Sequence, residues 1–156
     1  MAFLNELFTV GSEVIFRHGG TIDKFIGDCI MAVFGAVDEQ PDHAARAVAA
    51  AEDLQRFVGT SAATWKEKYG IEARLAIGVN SGDAVVGNLG SERRMEYTAI
   101  GDAVNVAARL EALARPGQVL VAAETAALAG DEFAFASLGT HPIRGKKQAL
   151  EIMELQ

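Results

Sequence analysis

The chain has 156 residues, a single cysteine and a formal net charge of −7, and 50% of its residues are apolar. That size and apolar content suit one folded domain and argue against disorder, while one cysteine excludes an internal disulfide and suits a reducing compartment. The acidic balance argues against a general nucleic-acid or anionic-membrane surface. Because no apolar stretch approaches the ~20 residues that span a bilayer, we expect a cytoplasmic segment without membrane contact.

Hydrophobic periodicity and turn residues divide the chain into alternating helices and strands. In chain order we predict a helix over 2–17, hairpin strands over 22–26 and 29–34, a helix from Pro41 to Val58, antiparallel partner strands over 72–80 and 84–89, a helix over 103–113 with Asp102 as its N-cap, a strand over 118–122, a helix over 124–129, and final strands over 132–139 and 149–155. Residues 59–70 are predicted to be a looser link, with room for another helical turn, and residues 91–97 a charged loop or short strand. This order predicts an α+β or α/β sandwich with a mostly antiparallel sheet.

The first hairpin carries a lysine and an aspartate beside its turn. In "TIDKFIGDCIMAVFGA" (21–36), Lys24 lies three residues before the Gly27-Asp28 turn. A carboxylate at such a turn is suited to bind Mg²⁺, and a lysine is a competent point-charge partner for phosphate. Read alone, Asp28 is more simply explained as an ordinary turn residue and Lys24 as a solvated strand lysine.

Two further stretches place polar side chains close together. In "YTAIGDAVNVAARLE" (97–111), Asn105 and Arg109 are spaced i, i+4 and therefore share one helix face among small alanines. In "PIRGKKQ" (142–148), three cations surround Gly145, where backbone can approach a phosphate closely. In isolation, each stretch is more simply explained as a solvated polar surface.

Taken together, the fragments "HGGTIDKFIGDCIMAVFG", "GVNSGDAVVGNLGSERRMEYTAIGDAVNVAARLE" and "PGQVLV…IRGKKQALEIMEL" resemble the catalytic domain of the class III nucleotidyl cyclases, the adenylyl and guanylyl cyclase family. The resemblance runs from about Leu4 to Leu155. It implies a single domain with a ferredoxin-like core that forms a head-to-tail homodimer with composite sites at the interface. It also implies conversion of ATP to cyclic AMP and pyrophosphate with two Mg²⁺ (or Mn²⁺) per site. Regulatory domains in a parent protein, which can itself be membrane-attached, are expected.

The same resemblance implies a role for each candidate residue by position. Lys24 corresponds to the family's base-reading lysine, and Thr98 to the second base-reading residue, where adenylyl cyclases carry aspartate or, in one bacterial subgroup, threonine. Asp28 corresponds to the second metal-binding aspartate, and Asn105 to the residue that orients the ribose. Arg109 corresponds to the cation that stabilises the pentavalent phosphorus, and Lys146 to the residue that holds the distal phosphates. Lys24 with Thr98 implies adenine specificity, because guanylyl cyclases usually place a glutamate at the Lys24 position.

One element of the family pattern is missing from this sequence. The family's first strand, which carries the other metal-binding aspartate, precedes the helix predicted at 2–17. We therefore expect an N-terminally incomplete domain over 1–156, with Asp28 as its family-type carboxylate and with a gap or an exposed edge in the sheet. A fragment of a longer cyclase is the preferred explanation, and a degenerate domain is the other.

Functions of different classes stay open at this point. The first is an adenylyl cyclase catalytic domain, and the second is a catalytically weak or inactive pseudo-cyclase that dimerises or binds nucleotides. A guanylyl cyclase is a third reading. A diguanylate cyclase is disfavoured because the chain has no Gly-Gly-Asp-Glu-Phe motif, and an RNA-binding βαββαβ module is disfavoured by the acidic charge.

Overall fold

The computed structural model describes residues 1–91 and 94–156, and it describes side chains outside 88–97. The helices are α1 (Ala2–Arg17), α2 (His43–Tyr69), α3 (Asp102–Leu113) and α4 (Ala123–Ala129). The strands are β1 (Thr21–Ile26), β2 (Cys29–Val33), β3 (Ile77–Val79), β4 (Val85–Ser91), β5 (Arg94–Ile100), β6 (Val119–Ala122), β7 (Phe135–His141) and β8 (Leu150–Leu155). In these described ranges, no helix is both long enough and apolar enough to cross a membrane.

The first helix and hairpin agree with the sequence prediction. Strands β1 and β2 pair antiparallel, with Ile26 opposite Cys29, so that Gly27 and Asp28 form the turn. Gly27 has φ +58°, a conformation that glycine adopts at little cost and that suits a two-residue hairpin turn. The ring of Phe25 stacks on Phe8 of α1, with centroids 4.6 Å apart, and this contact holds the hairpin against the helix.

Helix α2 continues to Tyr69 and is longer than predicted. The prediction of a looser link over 59–70 is therefore wrong. Val58 and Trp65 are both buried, and their spacing of seven residues continues the apolar stripe of the helix. Trp65 is fixed edge-on against Phe3 and Phe57. The helix ends at Gly70, which adopts the left-handed conformation, and it begins after Asp42 rather than at Pro41.

The pairing predicted for strands 72–80 and 84–89 is also wrong. β3 covers only Ile77–Val79 and pairs in parallel with β6, whereas β4 pairs antiparallel with β5. The partner of β4 therefore follows it directly in the chain, where a charged loop or short strand was predicted at 91–97. Residues 92 and 93 of that prediction lie outside the described residues.

The larger sheet has strand order β3-β6-β8-β7, and the two hairpins form separate sheets in the described part of the chain. β6 is buried on both faces. Its Val119 and Val121 pack in a core with Ala44, Val48 and Ala51 of α2 and with Ala126 and Ala129 of α4. Its Leu120 and Ala122 pack on the other face with Val106 and Leu110 of α3 and with Ile143 and Ile152. Helices thus cover both faces of a mixed sheet, as expected for the predicted sandwich.

β2 and β3 each have one unpaired edge in the described part of the chain. Among the described strands, β2 pairs only with β1, and β3 pairs only with β6. A cavity of about 170 Å³ lies where the hairpin turn and the segment before β3 face each other. Its lining residues are Phe3, Leu4, Leu7, Asp28, Val58, Glu72, Ala73, Arg74 and Leu75.

Candidate active site

Helix α3 presents one polar, exposed face and one buried face. Asp102, Asn105 and Arg109 are exposed, and their spacing of three and four residues places them on the same side of the helix. Val106 and Leu110 on the opposite side are buried in the core. The predicted pairing of Asn105 with Arg109 on one surface therefore holds, and the surface is open to a ligand.

Close backbone packing fixes the position of that helix. A Cβ atom built on Gly78 of β3 would lie 2.3 Å from the backbone nitrogen of Glu111 and 2.5 Å from the carbonyl oxygen of Ala107. Only glycine allows this approach, because both obstructing atoms belong to the α3 backbone. The Asn80 side chain adds a hydrogen bond, with its Nδ2 donating to the Ala103 carbonyl at 3.0 Å. The sequence analysis did not single out Gly78, although a glycine inside a strand pattern is a known sign of close backbone approach.

Lys146 is held at the first turn of the same helix. It follows Gly145, which has φ +89°, and its Nζ lies 2.7 Å from Asp102 Oδ2. The ion pair is exposed on both sides, with side-chain exposures of 37% and 63%. Three of the predicted site residues, Asn105, Arg109 and Lys146, are thus associated with one helix.

Lys24 and Thr98 come together through a residue that the sequence analysis did not assign to the site. Asp23 Oδ1 accepts a hydrogen bond from the Thr98 hydroxyl at 2.8 Å and lies 3.6 Å from Lys24 Nζ. Its Oδ2 accepts the Ala99 backbone N–H at 2.8 Å. The Asp23 side chain is 2% exposed, although its backbone is partly accessible, and the whole Thr98 residue is 2% exposed. In the sequence, Asp23 is a carboxylate inside an apolar strand pattern. Because a buried charge requires hydrogen-bond partners, this position could have been recognised as a candidate.

Asp28 occupies the turn of the first hairpin. It is exposed at the hairpin turn, and within the described residues no hydrogen bond or ion pair joins it to Lys24, Thr98, Asn105, Arg109 or Lys146. Its neighbour Cys29 is half-buried, and that burial raises the pKa of the Cys29 thiol and disfavours the thiolate form that binds metals.

The described residues do not by themselves build the two-metal site that the resemblance implies. Across 1–87 and 98–156, where the side chains are described, no three His, Cys, Asp or Glu side chains gather in a group that could hold a metal. Both oxygens of Asp23 are engaged by Thr98 and Ala99, and Asp102 is paired with Lys146.

Comparison with known proteins assigns the family. Residues 1–154 match the family model described as the adenylate and guanylate cyclase catalytic domain. The chain is 37% identical over 161 residues to adenylate cyclase 1 of Rhizobium meliloti, a match that covers 99% of this chain and 24% of that protein. The chain therefore belongs to the adenylate and guanylate cyclase catalytic domain family, and it spans about a quarter of the length of this relative.

Solved structures of the family share the fold. The adenylyl cyclase CyaB from P. aeruginosa superimposes with a TM-score of 0.93 at 31% identity, over 98% of this chain and 80% of that one. The guanylyl cyclase Cya2 gives a TM-score of 0.92 at 35% identity, over 97% of this chain and 77% of that one. The predicted cyclase fold is confirmed. Because an adenylyl and a guanylyl cyclase match equally well, the fold does not decide which base is read.

Proposed function

We propose that the chain is the catalytic domain of an adenylyl cyclase that converts ATP to cyclic AMP and pyrophosphate. The observation that carries the proposal is the exposed face of α3, where Asn105 and Arg109 lie one turn apart and Lys146 is tethered to the first residue of the helix. This places two cations and one amide around a single surface of a protein whose net charge is −7. Such a local cluster explains how an acidic domain can hold a polyphosphate.

In the proposed reaction the ribose 3′-oxygen forms a bond to the α-phosphorus while the bond from that phosphorus to the pyrophosphate oxygen breaks. The hydroxyl proton leaves to solvent. Asn105 orients the ribose, and Arg109 offers positive charge where the transition state gathers negative charge. When the nucleotide binds, Lys146 leaves its ion pair with Asp102 and binds the distal phosphates. Lys24 and Thr98 read the base, and no protein nucleophile is required.

We further propose that each site is shared between two copies of the chain. Among the described side chains no hydrogen bond or ion pair joins Asp28 to Asn105, Arg109 or Lys146, and a second chain would bring the two parts into one site. Large apolar side chains on β1 and β4 support such an interface, since Phe25, Ile26 and Val85 are 48%, 56% and 75% exposed. Divalent metal enters this proposal through Asp28 as one ligand. Regulatory domains would lie in the rest of the parent protein.

Mixing two inactive variants tests this proposal. In the full-length protein, Asp28→Asn and Arg109→Ala should each abolish most cyclic AMP formation. If one chain supplies Asp28 and its partner supplies Arg109, mixed dimers contain one intact site, and an equal mixture should recover roughly a quarter of the wild-type activity. A mixture as inactive as its components, under conditions where the chains are shown to exchange, would place both residues in one chain and contradict the shared site.

Two other functions compete with this proposal. A pseudo-cyclase that dimerises or binds nucleotides without turnover is favoured because the described side chains include no group of three His, Cys, Asp or Glu that could hold a metal. A guanylyl cyclase is supported by the similarity to Cya2. The adenylyl cyclase is preferred because a dimerisation module has no need of Arg109, and because an ammonium group at Lys24 suits adenine better than guanine.

A further inference from the structure

We infer that Asp23 is a positioning residue that fixes the direction of the Thr98 hydroxyl and thereby makes the base site select adenine over guanine. The inference rests on the proposed function and adds a residue to it. It starts from an arrangement in which one buried carboxylate serves three groups. Asp23 accepts hydrogen bonds from the Thr98 hydroxyl and the Ala99 backbone N–H, each at 2.8 Å, and lies 3.6 Å from Lys24 Nζ.

A threonine hydroxyl has one hydrogen and two lone pairs, and on its own it rotates to donate or accept as the ligand requires. Such a group cannot discriminate an amino group from a carbonyl oxygen. Asp23 removes this ambiguity, because an ionised carboxylate only accepts hydrogen bonds and therefore takes the hydrogen of Thr98. What the Thr98 oxygen can offer to a base is then limited to its lone pairs.

The resulting pattern is complementary to one purine. Lys24 can only donate, and Thr98 held by Asp23 can only accept. Adenine presents an acceptor at N1 beside a donor at its exocyclic amino group, which matches this pair. Guanine presents a donor at N1 beside the O6 acceptor, so that both contacts become repulsive or unpaired. Unpaired buried polar groups are the most effective basis for rejecting a substrate.

The structure leaves little room at the Thr98 hydroxyl, and the space suits one small group. Thr98 is 2% exposed in the chain. A cavity of about 20 Å³ adjoins it, and its wall includes Asp23, Thr21 and Val86. That volume is about what one water molecule requires, and an exocyclic amino group is similar in size. The edge of a base can therefore reach Thr98 with its amino group while the rest of the ring stays outside.

Substitution of Asp23 by asparagine tests the inference. The Ala99 N–H requires an acceptor, so the amide oxygen should face Ala99 and the amide nitrogen should face Thr98. The nitrogen then donates to the Thr98 oxygen, and the hydroxyl hydrogen turns toward the base. In the full-length protein we expect Asp23→Asn to lower the ATP-to-GTP ratio of kcat/KM by about tenfold or more, with a gain for GTP. Asp23→Ser, which leaves the hydroxyl free to rotate, should lower the ratio less.

Thr98→Val provides the matched background, since valine keeps the shape and removes the hydroxyl. It should lower kcat/KM for ATP without improving GTP, and Asp23→Asn added to it should leave the ratio unchanged. Thr98→Ser should preserve the wild-type ratio. Two results would overturn the inference: equal falls in kcat/KM for ATP and GTP in both Asp23→Asn and Asp23→Ser, or an unchanged ATP-to-GTP ratio in Thr98→Val. Either result would mean that Asp23 only stabilises the local structure.

Failure of the proposed function can be separated from failure of this inference. If the wild-type protein turns over neither nucleotide, the proposed function fails, and the ratio of ATP to GTP affinities measured by calorimetry replaces the kinetic ratio. The same variants should then shift the affinity ratio in the same direction. An affinity ratio that Asp23→Asn leaves unchanged would overturn the inference without any reference to turnover.

Discussion

Lys146 Nζ lies 2.7 Å from Asp102 Oδ2, so the proposed phosphate-binding lysine is held at the start of the helix that carries Asn105 and Arg109. Sequence separates Asp102 and Lys146 by two strands and a helix. The pair therefore links the 142–148 loop to α3. Because both side chains are exposed, the pair stabilises the fold by little and can exchange its partner readily.

This relationship predicts that the two residues differ in importance. Lys146→Ala removes a charged contact to the distal phosphates, and we expect KM for ATP to rise roughly 10- to 100-fold. Asp102→Asn removes only the carboxylate that pairs with Lys146 when no nucleotide is bound. We therefore expect kcat and KM for ATP to change by less than about threefold. Equal and large losses in both variants would show that Asp102 itself contacts the substrate or its metal.

Arg109 should act on the transition state. Arg109→Ala in the full-length protein is expected to lower kcat by roughly 10²–10³, the scale for losing one preorganised donor, with little change in KM. Arg115→Ala is the matched control, because Arg115 is also exposed but lies beyond the end of α3. A variant of Arg109 that raised only KM would assign this residue to ground-state binding.

Gly78 should be intolerant of any side chain. In Gly78→Ala the new methyl group meets the backbone of Glu111 and Ala107, and we expect about 1–3 kcal/mol of destabilisation, or a fall in Tm of roughly 2–12 °C. Gly59→Ala in α2 is the control. Nothing lies within 4 Å of its added Cβ, and a helical alanine should raise Tm slightly. A Gly78→Ala variant as stable as wild type would mean that α3 packs less closely on β3.

Residues 1–156 alone should fold but turn over ATP poorly. The hydrophobic cores on both faces of β6 are formed within these residues, so circular dichroism should record a cooperative melt. Asp28 is the remaining family-type carboxylate, because Asp23 is fully engaged by Thr98 and Ala99. Extending the chain upstream with a strand that bears an aspartate should restore activity, and Asp28→Asn should abolish it again. Robust cyclic AMP formation by residues 1–156 with Mg²⁺ or Mn²⁺ would contradict this metal account.

Local sequence signals predicted most of the elements but not all of the pairings. The period of apolar residues gave α1 and α3, and the Gly27-Asp28 turn gave the first hairpin, because these features are set by neighbouring residues. The predicted partner of β3 was wrong. Its observed partner, β6, lies some forty residues away in the chain, and parallel pairing leaves no turn signal in the sequence. The predicted end of α2 was wrong because the alanine, serine and threonine residues around 60–64 resemble a loop. Trp65 nevertheless continues the row of buried side chains along the helix.

The candidate site was predictable where residues share an element and obscure where the fold connects them. Asn105 and Arg109 could be grouped by helical spacing alone. The resemblance supplied Lys24 and Thr98, but Asp23, which joins them, could be recognised only once β1 and β5 were placed side by side. The sequence shows only a carboxylate inside a β-strand pattern and does not identify its partners, because these are a backbone amide and a hydroxyl some 75 residues away.

The most direct test of the central claim is the product made by the full-length protein from ATP and from GTP, measured side by side with Mg²⁺ and with Mn²⁺. The account predicts cyclic AMP and pyrophosphate in equal amounts, with kcat/KM for ATP well above that for GTP. A preference for GTP would contradict the adenine assignment of Lys24 and Thr98. Tight nucleotide binding without any cyclic product would contradict the assignment as a cyclase and favour a pseudo-cyclase.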